Sequence, residues 1–187
     1  MTSSLDTLQR LLAERSARRG KFTLSSGRES TLYIDARLTT MSPEGLTVIG
    51  QLGLDALRRS DWHVQAVGGL TLGADPVAYA IAYASAQSAQ MIRAFTVRKE
   101  AKVHGTGQLI EGPFKPGDRV AIVEDVITTG ASALKAAAAV QAAGGIVGGV
   151  LAVVDREEGG REALEAAGFS VISLTRAADV LKHMPSN

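Results

Sequence analysis

Two adjacent carboxylates followed by a run of hydroxyls make the most chemically loaded stretch of this sequence: Val120-Ala121-Ile122-Val123-Glu124-Asp125-Val126-Ile127-Thr128-Thr129-Gly130-Ala131-Ser132. Carboxylates accept hydrogen bonds from vicinal sugar hydroxyls, or hold a metal, but repel phosphate. The N–H groups at a helix start, helped by hydroxyls and by a glycine that admits close backbone approach, seat phosphate. A ligand with a phosphate at one end and ribose hydroxyls beside it satisfies both halves, so the stretch fits a ribose 5-phosphate. Helix capping, at about 0.5–2 kcal/mol, accounts for one hydroxyl residue and not for the set. The Gly-Lys-[Ser/Thr] of nucleotide-triphosphate loops and the Gly-x-Gly-x-x-Gly of dinucleotide sites are both missing.

A second stretch, Arg98-Lys99-Glu100-Ala101-Lys102-Val103-His104-Gly105-Thr106-Gly107, packs three cations and a histidine into seven positions. A cationic loop of this kind can close over a polyanion, neutralise it and exclude water. It lacks the interleaved aromatics of a single-strand nucleic-acid surface. Arg156 follows an apolar run, where a guanidinium can grip a carboxylate with two hydrogen bonds.

These residues need a scaffold, and the hydropathy pattern supplies one. Leucines at helical spacing predict a helix over residues 5–19. Two β-prone runs, 21–24 and 31–35, flank a Gly-containing turn and predict a hairpin. Ser42-Pro43-Glu44 reads as a capped helix start, with the helix running to about Arg58. Beyond it the elements alternate. Strands are expected at 64–67, 91–97, 119–123, 148–154 and 170–174, and helices at 75–86, 132–143, 161–167 and 177–184. Residues 98–116 read as a long loop, with β character at the far end. The alternation predicts an α/β fold, with a mostly parallel central sheet flanked by helices. The N-terminal helix and hairpin, residues 1–40, form a small hood on a single domain over 1–187. Ligands in such sheets bind at the carboxyl ends of the strands, which places residues 124–132 and Arg156 together.

Composition narrows the class. Lys and Arg number 20 against 19 Asp and Glu, so no basic excess argues for nucleic acid. The absence of cysteine excludes disulfides, Cys-ligated metal and a Cys nucleophile. Residues 1–6 carry no basic stretch before an apolar one, and the best apolar run is about half the roughly 20 residues of a membrane span. No membrane partner and a cytoplasmic location are expected.

Residues 120–132 resemble the phosphoribosyl-pyrophosphate motif of type I phosphoribosyltransferases. Within that group three more segments resemble orotate phosphoribosyltransferases. They are Phe22-Thr23-Leu24-Ser25-Ser26-Gly27-Arg28-Glu29-Ser30, Gly68-Gly69-Leu70-Thr71-Leu72-Gly73-Ala74-Asp75-Pro76 and Arg98-Lys99-Glu100-Ala101-Lys102-Val103-His104-Gly105. The resemblance spans roughly residues 21–156.

The resemblance implies that orotate and phosphoribosyl pyrophosphate give orotidine 5′-monophosphate and pyrophosphate, with Mg²⁺, in pyrimidine synthesis. It implies that Glu124 and Asp125 hold the ribose hydroxyls. It implies that the turn Thr128, Thr129, Gly130, Ala131 and Ser132 holds the 5′-phosphate, with Val126 and Ile127 also among the residues that bind phosphoribosyl pyrophosphate. Arg98, Lys99, Lys102 and His104 act on the diphosphate as catalytic and binding residues, His104 as proton donor or hydrogen-bond partner. Thr128, Arg156, Tyr33 and Ile34 border orotate, Arg156 pairing with its carboxylate. A homodimer is implied, with the basic loop shared across subunits and Arg98 acting on the neighbour's site. Some members carry a lysine where this chain has Ser25, and an aromatic–lysine pair within Thr71-Leu72-Gly73; both differences remove a cation. Some carry Asp where this chain has Glu124. The residues alone leave open a transferase for a purine or another base, and a non-enzymatic sensor of phosphoribosyl pyrophosphate.

Overall fold

The computed structural model describes residues 3–23, 29–86, 88–100 and 108–185. Ser25, Lys102 and His104 lie outside them.

Helix α1 (Ser4–Leu11) starts where the Ser3 hydroxyl accepts from Asp6 N, and a π-helical turn, Leu12–Ser16, continues it. The expected helix to residue 19 is therefore cut short. Strand β1 (Ala17–Thr23) begins at Ala17, which pairs with Ile34 of the antiparallel β2 (Glu29–Ile34). Cross-strand pairing overrides local helical propensity there. A four-residue helix, α2 (Arg37–Thr40), follows. Helix α3 (Pro43–Arg59) has Ser42 as its cap, accepting from Gly45 N, with Pro43 at the first position as expected.

The central sheet is built from β3 (Ala66–Leu70), β4 (Arg93–Val97), β5 (Ile110–Glu111), β6 (Arg119–Ile127), β7 (Ile146–Asp155) and β8 (Val171–Arg176). Its order is β5-β4-β3-β6-β7-β8, parallel throughout except for β5 at the edge. Helices α4 (Ala74–Ser85), α5 (Ala131–Ala142), α6 (Gly160–Ala166) and α7 (Ala177–Leu181) complete the chain. The strand expected at 64–67 lies at Ala66–Leu70, and the terminal helix ends at Leu181, short of Met184.

Both faces of the sheet are buried. On one, Val67, Val123 and Leu151 join Ile49, Leu54, Val77 and Ile81; Leu8, Leu12, Leu32 and Ile34 of the hood belong to this same cluster. On the other, Ile122, Val150 and Ala152 pack against Ala133, Ala136, Ala137 and Val140 of α5. Small alanines on the buried face of α5 bring its axis close to the sheet. Trp62 is a packing residue, buried in the first cluster. Among the described residues no helix is long and apolar enough to cross a membrane.

Candidate active site

Strand β6 runs to Ile127, four residues beyond the expected end at Val123. Val126 pairs with Val154 and Ile127 with Asp155, so β7 holds the extension in register. Glu124 and Asp125 thus stand on a strand and not in a turn. A strand fixes them more tightly than a turn, because each is bracketed by ladder hydrogen bonds.

At the carboxyl ends of β3, β6 and β7 lies a cleft of about 430 Å³. Its walls include Glu124, Asp125, Val126, Thr128, Thr129 and Ser132 from the β6–α5 connection, and Arg156 with Glu158 from the β7–α6 connection. Tyr33, Ile34 and Arg37 come from the hood, Thr71, Leu72 and Gly73 from the β3–α4 connection, and Lys99 from the basic loop. A small hollow of about 30 Å³ adjoins it, lined by Glu124 and residues Val126, Ile127, Thr128, Thr129, Gly130, Ala131, Ser132 and Ala133. Every residue of 124–132 therefore borders one of these two spaces.

Gly130 carries the chain into α5 with φ 78°, and no side chain caps the helix N-terminus. Only a long hydrogen bond reaches it among the described side chains, Ala131 N donating to Thr129 Oγ1 at 3.5 Å. The first N–H groups of α5 and their partial positive charge thus face the hollow, as an anion seat requires.

The two acids differ. Glu124 is only 6% exposed, and its Oε1 has no hydrogen-bond partner among the described residues. Burial pushes its carboxyl up to about 8, and the neighbouring Asp125 charge adds to the rise. Burial also raises Asp125, whose Oδ1 accepts from Val126 N at 2.9 Å. Asp125 fits against the β3–α4 connection because residue 73 is glycine: a Cβ there would stand 2.5 Å from Asp125 Oδ1. That connection is pinned from behind by Asp75, which accepts from Thr71 Oγ1 at 2.7 Å and from Thr96 Oγ1 at 2.8 Å.

Arg156 is not the surface residue that a lone arginine after a strand usually is; it is 6% exposed. Its NH2 donates to Leu32 O at 2.9 Å, Ser30 Oγ at 3.2 Å and Glu158 Oε1 at 2.5 Å. Its Nε has no partner among the described residues. The Nε–H of this buried, positioned guanidinium is therefore left for an incoming acceptor. Glu158 and Arg37 line the cleft, and Ser30 accepts from Arg156 behind it, without any local sequence signal that separates them from ordinary turn residues.

Neighbours in the basic loop part company. Lys99 lines the cleft, whereas Arg98 reaches Glu111 at 3.4 Å and is not among the cleft residues. The Lys99 carbonyl accepts from Lys135 Nζ at 2.8 Å, tying the loop root to α5.

No family model matches the chain. It is 48% identical over 179 residues to the orotate phosphoribosyltransferase of Aquifex aeolicus (strain VF5), covering 94% of this chain and 97% of that protein. It is likewise 48% identical over 176 residues to the orotate phosphoribosyltransferase of Mycobacterium avium (strain 104), covering 94% and 96%. Among solved structures, the Mycobacterium tuberculosis H37Rv orotate phosphoribosyltransferase in complex with 5-phospho-α-D-ribosyl 1-diphosphate is similar with a TM-score of 0.80. Identity there is 44%, with 95% of this chain and 99% of that chain covered.

Proposed function

Because this chain belongs to the orotate phosphoribosyltransferase family, we propose that the cleft above β3, β6 and β7 is where the ribose changes partners. The enzyme is a pentosyltransferase: it moves the 5-phosphoribosyl group from phosphoribosyl pyrophosphate to orotate, releasing pyrophosphate and orotidine 5′-monophosphate. One observation carries the assignment of the site: the buried Glu124 carboxyl, with an unpartnered oxygen, and the start of α5, whose capping residue is a glycine, border the same hollow beside the cleft.

Glu124 and Asp125 accept from the ribose hydroxyls. The hollow at Val126, Ile127, Thr128, Thr129, Gly130, Ala131 and Ser132 seats the 5′-phosphate. A helix terminus contributes only about 0.3–1 kcal/mol to an exposed charge, so it holds the phosphate without driving the chemistry. As the bond from C1 to the diphosphate oxygen breaks, its electron pair leaves with the diphosphate. The ribose takes on oxocarbenium character, and a base nitrogen closes on C1. Positive side chains facing the departing diphosphate lower that barrier, and this is the role of Lys99, with Lys102, His104 and Arg98 of the loop. His104 is the group suited to give a proton to the pyrophosphate. Arg156 meets the orotate carboxylate, with Thr128, Tyr33 and Ile34 around the base.

Mg²⁺ fits this donor set. It keeps several waters and binds through one or two carboxylates plus substrate phosphates. Asp125, with Glu124 beside it, offers such carboxylates, and no cluster of three ligating side chains forms among the described residues. When bound it supplies charge neutralisation at the diphosphate.

The separation of Lys99 from Arg98 supports a homodimer in which Arg98 serves the neighbouring subunit's cleft. The shared buried cluster supports reading 1–187 as one domain with a hood. We place the enzyme in the cytoplasm. Initial rates with phosphoribosyl pyrophosphate, Mg²⁺ and either orotate, uracil, adenine or hypoxanthine test the reading. Turnover with orotate alone is expected, and preference for a purine would overturn it. Mixing an inactive loop variant, Lys102→Ala, with an inactive cleft variant, Asp125→Asn, should restore activity if sites are shared; no recovery contradicts the sharing.

A further inference from the structure

Among the described residues three cations line the cleft: Lys99, Arg156 and Arg37. Lys99 belongs to the basic loop, and Arg156 is turned toward the hood backbone and Glu158. Arg37 has so far no role. It opens α2, directly after the hairpin.

Its guanidinium is held in a two-pronged grip. Nε donates to Asp35 Oδ1 at 2.8 Å and NH2 to Asp35 Oδ2 at 2.9 Å. The Asp35 carboxylate also accepts from Arg37 N at 3.2 Å, closing the unit on itself. A bidentate grip fixes the plane of the fork. Two of the five N–H donors of the guanidinium are used, so its other edge stays available. The side chain is 47% exposed, at the rim where the cleft meets a second hollow lined by Asp35, Arg37 and Leu72. A positioned, half-exposed fork with free donors has the form of an anion-binding group.

The position of that group relative to the ribose follows from Asp125. Arg37 and Asp125 line the same cleft, and the charge of Arg37 works to lower the Asp125 carboxyl against the effect of its burial. In phosphoribosyl pyrophosphate the diphosphate hangs on C1, next to the C2 hydroxyl. A cation close to the acid that holds the hydroxyls is therefore close to the diphosphate. The facing Thr71-Leu72-Gly73 connection contributes no cation of its own.

We propose that Arg37 is a diphosphate-binding residue, its guanidinium held by Asp35 so that it meets the diphosphate from the hood wall of the cleft. This rests on the reading that Asp125 holds the ribose hydroxyls. As the C1–O bond breaks and its electron pair passes to the diphosphate, Arg37 stays with the leaving group.

Binding of phosphoribosyl pyrophosphate, pyrophosphate and ribose 5-phosphate to the full-length enzyme with Mg²⁺, followed by titration calorimetry, tests the proposal. Arg37→Gln should weaken phosphoribosyl pyrophosphate and pyrophosphate by about 10- to 100-fold, and ribose 5-phosphate by no more than about twofold. Arg37→Lys, which keeps the charge without the fork, should recover part of the loss. Equal weakening of all three ligands would show that Arg37 acts through Asp125 or the hood, and would overturn the proposal. So would unchanged pyrophosphate affinity. Asp125→Asn separates the two levels. If it weakens ribose 5-phosphate while Arg37→Gln leaves pyrophosphate untouched, only the role of Arg37 fails. If ribose 5-phosphate ignores Asp125→Asn, the reading of the cleft fails, and the role of Arg37 falls with it.

Discussion

The β6–α5 and β7–α6 connections are neighbours of similar build, and they treat their buried carboxylates in opposite ways. Each leaves a parallel strand of the same sheet and enters its helix through a glycine with positive φ, 78° at Gly130 and 93° at Gly159. In the second, the buried Asp155 accepts from Arg161 Nε at 2.9 Å and from Glu157 N at 2.9 Å, and Arg161 also reaches Val171 O and Ser173 Oγ. In the first, the buried Glu124 carries an oxygen with no partner among the described residues. A buried polar atom left without a hydrogen bond costs about 1–3 kcal/mol. The cost is tolerable where a ligand brings the missing donors, and ribose hydroxyls do so. The braced connection is a fixed arm that presents Arg156 Nε, and the unbraced one is a receptor. The difference lies in which group is left unsatisfied, a carboxyl oxygen in one and a guanidinium N–H in the other, not in the backbone path.

The comparison breaks most visibly at the brace. Asp155→Ala leaves the partly buried Arg161 without its main partner, and loss of one member of a buried pair costs about 3–5 kcal/mol. Chemical denaturation should register that loss together with a raised KM for orotate. A cost under about 1 kcal/mol would mean the network does not hold the arm. Next in size is Gly130→Ala. The positive φ is strained for alanine, and the new Cβ would stand 2.9 Å from Gly160 O, so a loss of about 1–3 kcal/mol is expected. Ribose 5-phosphate affinity should fall with it; an unaltered melting curve contradicts the account.

Glu124→Gln sharpens the contrast with the opposite sign. In the unfolded chain Glu124 ionises near 4.5 and in the folded chain near 8. Between those values the folded state binds the extra proton, so stability falls as pH rises through that window. The variant has no such proton to lose. Its advantage over the wild type should therefore grow from pH 5 to pH 8, by about 1 kcal/mol or more, in melts run across that range. A gap that shrinks with pH would refute the cause. Smallest is Ser30→Ala, which removes one of three acceptors at Arg156 NH2. About 0.5–1.5 kcal/mol, read as a modest rise in KM for orotate at constant kcat, is expected. A fall in kcat alone would contradict it.

The receptor was legible in the sequence because its chemistry is contiguous. Residues 124–132 carry acids, hydroxyls and glycine in one run, and all of them border the cleft or its hollow. Helix α3 was legible from Ser42-Pro43 because a cap is a local device. The end of β6 was misplaced, because a pair of acids reads as the end of a strand, while pairing with β7 carries it on through Val126 and Ile127. The π-helical turn before β1 was missed for the same kind of reason: the partner of Ala17 is Ile34. Of the fixed arm, Arg156 was legible from its place after an apolar run, but the contacts that hold it were not. Ser30 and Arg156 lie 126 positions apart, and no spacing rule joins them. Arg37 sits in a helix of four residues, too short to show a period.

The most direct measurement is a crystal structure of the enzyme with ribose 5-phosphate. The phosphate is expected on the N–H groups at the start of α5, and the sugar hydroxyls on Glu124 and Asp125. A sugar phosphate bound instead at the β7–α6 connection, with the Glu124 carboxyl still unpartnered, would contradict it.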